Sequence, residues 1–321
     1  MYTGFIKSAA KYIYFCVISG SIDCLRIKGA IKYMKYTIMC DSDIGKSRSM
    51  NQDAVAIKHI STSDEEIVFA VLCDGMGGFN EGEIASCSVL KAFMKWFDIK
   101  FTKNIARYDD NRICEEWKSV IEIINDKLYR YGKSKKITLG TTVTVMLLKN
   151  TNYYILNIGD CRAYELSDTI RQLTRDHSVV AQEVLEGKLT EEEARYDNRR
   201  NQLLKSVGVL SEVTPDFFCG KVNGGSVYMM CCDGVRNKVF DDELLYYFHP
   251  AIMTNKSNMK NNIDYIFSLN KERGENDNMT VVLIKDNETT VVLNNTDDGL
   301  NINDEKIIIN SDAYIDIEME A

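Results

Sequence analysis

The sequence predicts an α+β fold in which antiparallel sheets carry helices on their outer faces. Apolar runs of strand length recur along the chain and are separated mostly by short turns, which is typical of antiparallel sheets. Segments with apolar residues at helical spacing come in pairs between groups of strands. A doubly wound parallel sheet would instead need strands and single helices in regular alternation.

The first half of the domain contains three predicted strands and two predicted helices. Residues 36–43, 53–60 and 67–73 have the character of strands, and 67–73 has no polar face, which predicts burial on both sides. Helices are predicted at residues 81–97 and 110–131. Their apolar residues recur at helical spacing and predict core-facing stripes: Ala85, Val89, Leu90, Phe93 and Phe97 in the first helix, and Ile113, Trp117, Val120, Ile121, Ile124 and Leu128 in the second.

The second half contains more strands and a polar helical insertion. Strands are predicted at residues 140–148, 153–158, 161–166, 170–173, 213–219, 226–232 and 279–285, and helices at 241–248 and 257–271. The insertion covers residues 178–206, where Thr190 and Glu193 have the spacing of a capping box at a helix start. Asn223-Gly224-Gly225 predicts a hairpin turn between the strands on either side of it.

Composition limits the classes of function. The chain has 321 residues and a net charge of −8, which argues against a general nucleic-acid binder because that role needs a basic surface. Ten cysteines without regular spacing favour a reducing, cytoplasmic compartment over a disulfide framework. The adjacent pair Cys231-Cys232 is predicted to pack in a strand and not to take part in redox chemistry.

Three regions are predicted along the chain. Residues 1–35 form a basic extension that translation starting at Met34 would largely omit, with a weak membrane-surface anchor as the alternative. The apolar stretch at residues 12–22 is shorter than the ~20 residues that a membrane span needs. Residues 36–285 form the catalytic domain, and the acidic tail at 286–321 is expected to be disordered.

Four aspartates lie at the ends of predicted strands. Asp74, Asp160 and Asp233 follow apolar runs, Asp277 precedes one, and each is next to a Gly or Asn. A single Asp-Gly pair is more often a hairpin turn. The recurrence of the pattern, together with Asp53, indicates carboxylates gathered at one edge of a sheet.

This set of residues favours hard divalent cations. Carboxylate oxygens suit Mg²⁺ or Mn²⁺, whereas the three histidines of the chain are too few and too scattered for a typical zinc site. Two such cations can clamp a phosphate and activate water near neutral pH. Arg48 is the candidate anchor for the phosphate because its planar guanidinium matches phosphate oxygens.

Other phosphate and hydrolase chemistries lack their motifs. No cysteine is followed six positions later by arginine, as a cysteine-dependent phosphatase loop requires. The sequence contains no Gly-x-x-x-x-Gly-Lys-Ser/Thr loop, no Gly-x-Ser-x-Gly elbow and no Asp-x-Asp-x-Asp-Gly calcium loop. The metal-dependent interpretation therefore has few enzymatic rivals.

Seven sequence blocks, in this order, resemble the bacterial type of the metal-dependent (type 2C, PPM) protein serine/threonine phosphatases. The blocks are residues 42–53, Asp74-Gly75-Met76-Gly77-Gly78, Gly140-Thr141-Thr142, residues 158–164, residues 173–178, Cys232-Asp233-Gly234-Val235 and Asp277-Asn278-Met279-Thr280. The resemblance runs over about residues 36–285. It implies a four-layer α-β-β-α sandwich of two antiparallel sheets flanked by helices, with a small flap subdomain at residues 178–206.

The resemblance also implies roles for the metal ligands. Asp74 corresponds to the ligand that bridges two Mn²⁺ or Mg²⁺ ions, and the Gly75 carbonyl is a further ligand. Asp233 and Asp277 correspond to the remaining ligands of one ion. Asp160 corresponds to the ligand of a third, weaker ion, shared with Asp233.

Arg48 corresponds to the phosphate-binding arginine, and Asp53 to a residue that orients water on the metals. Two positions depart from the family pattern. Met76 stands where animal members carry a histidine proposed as general acid. Gln52 stands where many members have glutamate, which is expected to weaken binding of one cation.

The implied activity is hydrolysis of phosphoserine and phosphothreonine on proteins by water activated at two metal ions. The implied partners are phosphorylated proteins, including a serine/threonine kinase and its substrates, and the chain is expected to be a cytoplasmic monomer. Two alternatives stay open. Gln52 leaves room for a weak or inactive pseudophosphatase that binds phosphoproteins, and a phosphatase acting on a partner-regulator protein would share the same chemistry.

Overall fold

The computed structural model describes residues 15–18, 31–33, 36–61, 66–77, 81–287, 289–291 and 307–308. Most of the predicted basic extension (1–35) and most of the predicted disordered tail (286–321) therefore lie outside the described residues. The described strands are β1 (Phe15–Ile18), β2 (Ile31–Tyr33), β3 (Tyr36–Asp43), β4 (Ala54–Ser61), β5 (Glu66–Cys73), β6 (Gly75–Gly77), β7 (Leu139–Thr141), β8 (Val143–Lys149), β9 (Asn152–Ile158), β10 (Arg162–Leu166), β11 (Ile170–Gln172), β12 (Asp216–Lys221), β13 (Val227–Cys231), β14 (Met279–Asp286), β15 (Thr289–Val291) and β16 (Ile307–Ile308). The described α-helices are α1 (Glu81–Trp96), α2 (Asp110–Lys135), α3 (Val179–Leu185), α4 (Glu191–Tyr196), α5 (Asp233–Arg236), α6 (Asp241–Phe248) and α7 (Lys256–Glu272).

Two sheets form the centre of the fold. The larger has the strand order β1-β4-β5-β8-β9-β12, with β16 also paired to β4, and the smaller has the order β11-β10-β13-β14-β3. Pairing is antiparallel in both, apart from β1, which runs parallel to β4. The predicted α+β class with antiparallel sheets is confirmed.

Burial along β5 shows how the layers stack. Alternate residues Val68, Ala70 and Leu72 belong to the core that the larger sheet shares with the smaller one. The intervening residues, such as Phe69 and Val71, belong to a second core beneath α1 and α2. Both sets are fully buried, because successive side chains of a strand point to opposite faces and each face is covered.

Helices cover both outer faces. The predicted stripe of α2, which includes Trp117, Ile121 and Leu128, is buried in the core beneath the larger sheet. On the other side, α6 and α7 contribute apolar residues such as Phe248 and Ile263 to the core of the smaller sheet. The result is the four-layer sandwich that the sequence predicted. Among the described helices, none has both the length and the apolar character that a membrane crossing requires.

The predicted hairpin at Asn223-Gly224-Gly225 is wrong. The strand before this turn, β12, pairs with β9 in the larger sheet, whereas β13 pairs with β10 and β14 in the smaller one. The turn therefore carries the chain from one sheet to the other. The strand before it also begins later than predicted, at Asp216.

Other element boundaries shift for local reasons. The single strand predicted at 140–148 is two strands that meet at Thr142, whose N–H donates to the Asp74 carbonyl (2.9 Å) and so leaves the ladder. The predicted helix at 81–97 ends as an α-helix at Trp96 and continues as a π-helical turn to Phe101. In the insertion, the predicted capping box of Thr190 and Glu193 is confirmed at the start of α4.

Replacing Trp117 with alanine should destabilise the fold strongly. Its indole is fully buried and lies 5.8 to 6.2 Å from the rings of Trp96, Phe69 and Phe93. Because the cavity cannot close fully, we expect Trp117→Ala to lower the free energy of unfolding by about 3–5 kcal/mol, measured by urea denaturation. Leu185→Ala, at a side chain that is 64% exposed, should change it by less than about 0.5 kcal/mol. A loss at Trp117 no larger than at Leu185 would contradict the assigned core.

Candidate metal centre

Strand directions bring the predicted aspartates to one edge of the sandwich. In the larger sheet, β5 and β9 are both antiparallel to β8, so they run in the same direction and their ends lie on the same side. Asp74 follows β5 and Asp160 follows the end of β9. In the smaller sheet, Cys231 pairs with Val281, which places the residues after β13 beside the residues before β14. Asp233 and Asp277 are therefore neighbours at that end.

The aspartates are close enough to influence one another's protonation. Loss of solvent raises the pKa of Asp74 well above its usual value, and the charges of Asp53, Asp233, Asp160 and Asp277 raise it further. Burial also raises the pKa values of Asp53 and Asp160, both to about 7. Repulsion of this kind favours binding of positive charge, since the ionised carboxylates are stabilised together when a cation offsets them.

Asp53 lies beside this cluster and has one carboxylate oxygen that forms no hydrogen bond with the described residues. It immediately precedes β4, whose Ala54 pairs with Cys73, so it lies next to Asp74. Its Oδ2 accepts a hydrogen bond from Thr280 Oγ1 at 2.5 Å, while the buried Oδ1 has no partner among the described residues. Ligand atoms of Asp53, Asp74 and Cys232 lie within 4.8 Å of one another.

The residues present therefore fit a hard divalent cation. The donors are mainly carboxylate oxygens, one buried oxygen is unpartnered, and mutual repulsion of the charges would be relieved by an ion. The thiol of Cys232 was not foreseen as a neighbour of the cluster. Its position next to Asp233 in the sequence indicated that it could lie near the cluster. The fully apolar run before it, however, did not indicate which way its side chain points.

The backbone of Asp74 is clamped from one side. Its N–H donates to Thr142 Oγ1 (3.0 Å), and its carbonyl accepts from Thr141 Oγ1 (2.9 Å). The next residue, Gly75, packs so tightly that an added Cβ would lie 2.3 Å from the Gly82 carbonyl oxygen. These contacts fix the direction of the chain at Asp74. Thr141 and Thr142 belong to a block that resembles the family, but the sequence assigned no role to them.

Arg48 lies on the far side of the cluster, on the loop between β3 and β4. Its Nη2 donates to Asp277 Oδ2 at 2.7 Å, and just over half of its side chain is exposed. The hydrogen bond to Asp277 raises the pKa of Arg48, and the charges of Asp74 and Asp233 add to this effect. The guanidinium therefore faces the same carboxylates that gather at the sheet edge.

Asn278 holds the Arg48 loop in place, a role that sequence reasoning missed. Its Nδ2 donates to the carbonyls of Ile44 (2.9 Å) and Met50 (3.2 Å), and its Oδ1 accepts from the N–H of Gln52 (2.9 Å). One side chain thus ties the loop to the start of β14. Gln52 also accepts a hydrogen bond at its carbonyl from Ser86 of α1 (2.6 Å).

Asp160 has surroundings unlike those of Asp74. Arg236 Nη2 donates to its carbonyl oxygen at 2.8 Å and lies 3.4 Å from its Oδ2. The preceding Gly159 donates its N–H to Nδ1 of buried His177 (3.1 Å), so this histidine supports the backbone before Asp160. The structure thus brings Asp160 to the predicted edge but gives it a cationic neighbour within the chain.

Met76, the other departure noted in the sequence, lies in β6 opposite Gly140 and is partly buried. A thioether carries no proton that it could donate. This position therefore supplies packing and not acid chemistry.

Comparison with known proteins yields consistent matches. The profile of the family described as protein phosphatase 2C matches residues 45–283. A putative protein phosphatase 2C-type from Streptococcus pyogenes is 30% identical over 250 residues, covering 77% of this chain and 96% of that protein. The solved structure of the serine/threonine phosphatase Stp1 from Staphylococcus aureus is 28% identical with a TM-score of 0.66, covering 82% of this chain and 99% of that one. The catalytic domain of the serine/threonine protein phosphatase PstP, solved with two manganese ions, is 25% identical with a TM-score of 0.62, covering 78% and 97%.

The geometry predicts that Gly45 cannot be replaced without disturbing Asp277. Gly45 has a φ of +77°, and an added Cβ would lie 2.1 Å from the Asp277 carbonyl oxygen. Gly187 has a similar φ of +71° but open space around it, so Gly187→Ala should show only the conformational penalty, about 1–2 kcal/mol. We expect Gly45→Ala to lower the free energy of unfolding by more than Gly187→Ala, measured by urea denaturation. Equal losses in the two variants would show that the close approach is not real.

Proposed function

Since this chain belongs to the protein phosphatase 2C family and is a protein serine/threonine phosphatase, we propose that it hydrolyses phosphoserine and phosphothreonine through a centre of two divalent cations. The observation that carries the proposal is the group of carboxylates around Asp74 at one edge of the sandwich. The two manganese ions in the related PstP structure support the number and the kind of ion. Mn²⁺ and Mg²⁺ both suit the oxygen donors of this chain.

The ligands of the two cations are proposed residue by residue. Asp74 would be the ligand that both ions share, and the Gly75 carbonyl would supply a further oxygen. Asp233 and Asp277, which neighbour each other at the ends of β13 and β14, complete one ion's set. When bound, the ions activate a water molecule for attack on phosphorus and offset the charge of the phosphate.

Arg48 binds the phosphate group. Its described hydrogen bond to Asp277 uses one donor of a guanidinium that has five, so donors remain for phosphate oxygens. Its exposed position lets a substrate reach it, while Asn278 keeps its loop from drifting away. Holding the phosphate beside the carboxylate cluster provides the positioning on which phosphoryl transfer mainly depends.

Asp53 orients water at the centre. Thr280 holds one of its oxygens, and the other has no hydrogen-bond partner among the described residues and can accept a hydrogen bond from water. The backbone of Gln52 is held by hydrogen bonds with Asn278 and Ser86. Its amide side chain can accept a hydrogen bond at the centre but adds no negative charge. Met76 has no proton to give, and the departing serine oxygen therefore takes its proton from water.

The substrates are phosphorylated proteins, among them a serine/threonine kinase and its targets. A cavity of about 500 Å³ lies between the insertion that carries α3 and α4 and the edge where Asp160 and Asp233 sit. Its walls include Arg195 and Arg200 of the insertion. A peptide that presents its phosphate at the edge would lie against this wall, which makes the insertion the part that selects the substrate.

Removing one carboxylate from the cluster should abolish catalysis. We expect Asp74→Asn or Asp233→Asn to lose hydrolysis of p-nitrophenyl phosphate with Mn²⁺ present, because the neutral amide supplies no negative charge to bind the cations. Asp168→Asn, at an exposed turn, is the matched control and should keep full activity. Activity retained by Asp74→Asn would refute the metal assignment, and an inactive wild-type chain that still binds phosphoproteins would favour the pseudophosphatase.

Removing the guanidinium should weaken substrate binding more than turnover. Charge-assisted hydrogen bonds of about 1.5–3 kcal/mol predict a rise in KM of roughly tenfold to hundredfold for Arg48→Ala. Lys46→Ala removes an exposed positive charge from the same loop and should leave KM nearly unchanged. Steady-state kinetics on a phosphothreonine peptide measures both, and an unaltered KM in Arg48→Ala would remove this residue from the phosphate site.

A further inference from the structure

The two ends of the acidic edge differ in how their charge is balanced. At Asp160, the guanidinium of Arg236 lies 3.4 Å from the carboxylate Oδ2 and donates to the backbone carbonyl at 2.8 Å. Both side chains are almost buried, with 13% of Arg236 and 10% of Asp160 exposed. Arg236 ends α5, the short helix that begins at Asp233, so the same turn supplies an acidic and a basic group to this edge.

A second ion pair extends this arrangement. Arg162 holds Asp176 through two parallel hydrogen bonds, from Nε to Oδ1 (2.9 Å) and from Nη2 to Oδ2 (2.8 Å). Arg236 Nη2 also lies 3.5 Å from Asp176 Oδ2. The guanidinium groups of Arg162 and Arg236 therefore meet the carboxylates of Asp160 and Asp176 here, with the negative charge of Asp233 close by.

At Asp160, electrostatic repulsion and not lack of space opposes the binding of a metal ion. The cavity of about 500 Å³ borders Asp160, Arg162 and Arg236, so a small cation would have room. An arginine does not lose its proton in proteins, and a cation on Asp160 would have to share that carboxylate with a fixed positive charge. Such like charges repel strongly where water is scarce.

We propose that Arg236 takes the place of a third metal ion at Asp160, so that the protein binds two divalent cations and not three. This rests on the proposed function, because it assumes the centre at Asp74. The guanidinium places a positive charge beside Asp160, which offsets part of the effect of burial and of Asp233, and it forms a fixed link between the end of β9 and α5. Asp160 is then a structural partner of Arg236 and not a metal ligand, whereas Asp233 remains a ligand of the two-ion centre.

The test counts bound ions directly. Free Mn²⁺ is measured by electron paramagnetic resonance during titration of the full chain, which gives the number of ions bound without using activity. We expect about two ions per wild-type chain and the same number for Asp160→Asn. Arg236→Ala should raise the number to about three by exposing Asp160, and the double variant Arg236→Ala/Asp160→Asn should return it to about two.

Controls separate the charge of Arg236 from general effects. Arg236→Lys keeps a cation near Asp160 and should still bind about two ions. Arg273→Ala removes an arginine that pairs with Glu243 away from this edge, and should not change the count. If Arg236→Ala does not fold, wild type and Asp160→Asn still decide the question.

The outcomes distinguish this inference from the proposed function. A third ion in the wild type that Asp160→Asn removes would overturn the role of Arg236 while leaving the two-ion centre intact. A count that stays at two in folded Arg236→Ala would also overturn it. If the wild type binds no ion, or if Asp74→Asn binds as many as the wild type, the two-ion centre itself fails and this inference falls with it.

Discussion

The structure depends on holding several like-charged carboxylates together at one edge of two stacked sheets. Bringing Asp53, Asp74 and Asp233 out of water and close to one another opposes folding, and the raised pKa values of these groups record that opposition. The fold accepts this cost because the apolar faces of both sheets are fully buried on each side. Hydrophobic burial far from the edge thus stabilises an arrangement that is unfavourable at the edge.

Neutral groups do most of the positioning at that edge. Thr141 and Thr142 hold the backbone of Asp74, Asn278 holds the loop of Arg48, and Thr280 holds one oxygen of Asp53. None of these contacts cancels the negative charge. These contacts therefore keep the carboxylates in position without neutralising them, and Arg48 and Arg236 supply part of the opposite charge.

Much of this could be predicted from the sequence, because the signals are local. The uninterrupted apolar run before Asp74 indicated a strand covered on both faces, and the helical stripe of Trp117 indicated a core face, as the structure confirms. The failures concern choices of partner that local sequence does not contain. Asn223-Gly224-Gly225 has the chemistry of a hairpin turn, but which sheet each flanking strand joins is decided by distant strands. The sequence predicts that Thr142 continues a strand, whereas in the structure its N–H donates a hydrogen bond to the Asp74 carbonyl.

Arg236 is an electrostatic example of a distant partner that local sequence does not reveal. It follows Asp233-Gly234-Val235, and nothing in the local sequence indicates its partner. In the structure it faces Asp160, which is 76 positions away. Its presence divides the acidic edge into an end around Asp74, where the guanidinium is the half-exposed Arg48, and an end around Asp160, where it is the almost buried Arg236. A divalent cation competes more easily with an exposed guanidinium than with a buried one, because water screens the charge of the exposed group. In the arrangement proposed here, the placement of one arginine sets how far along the edge metal ions bind.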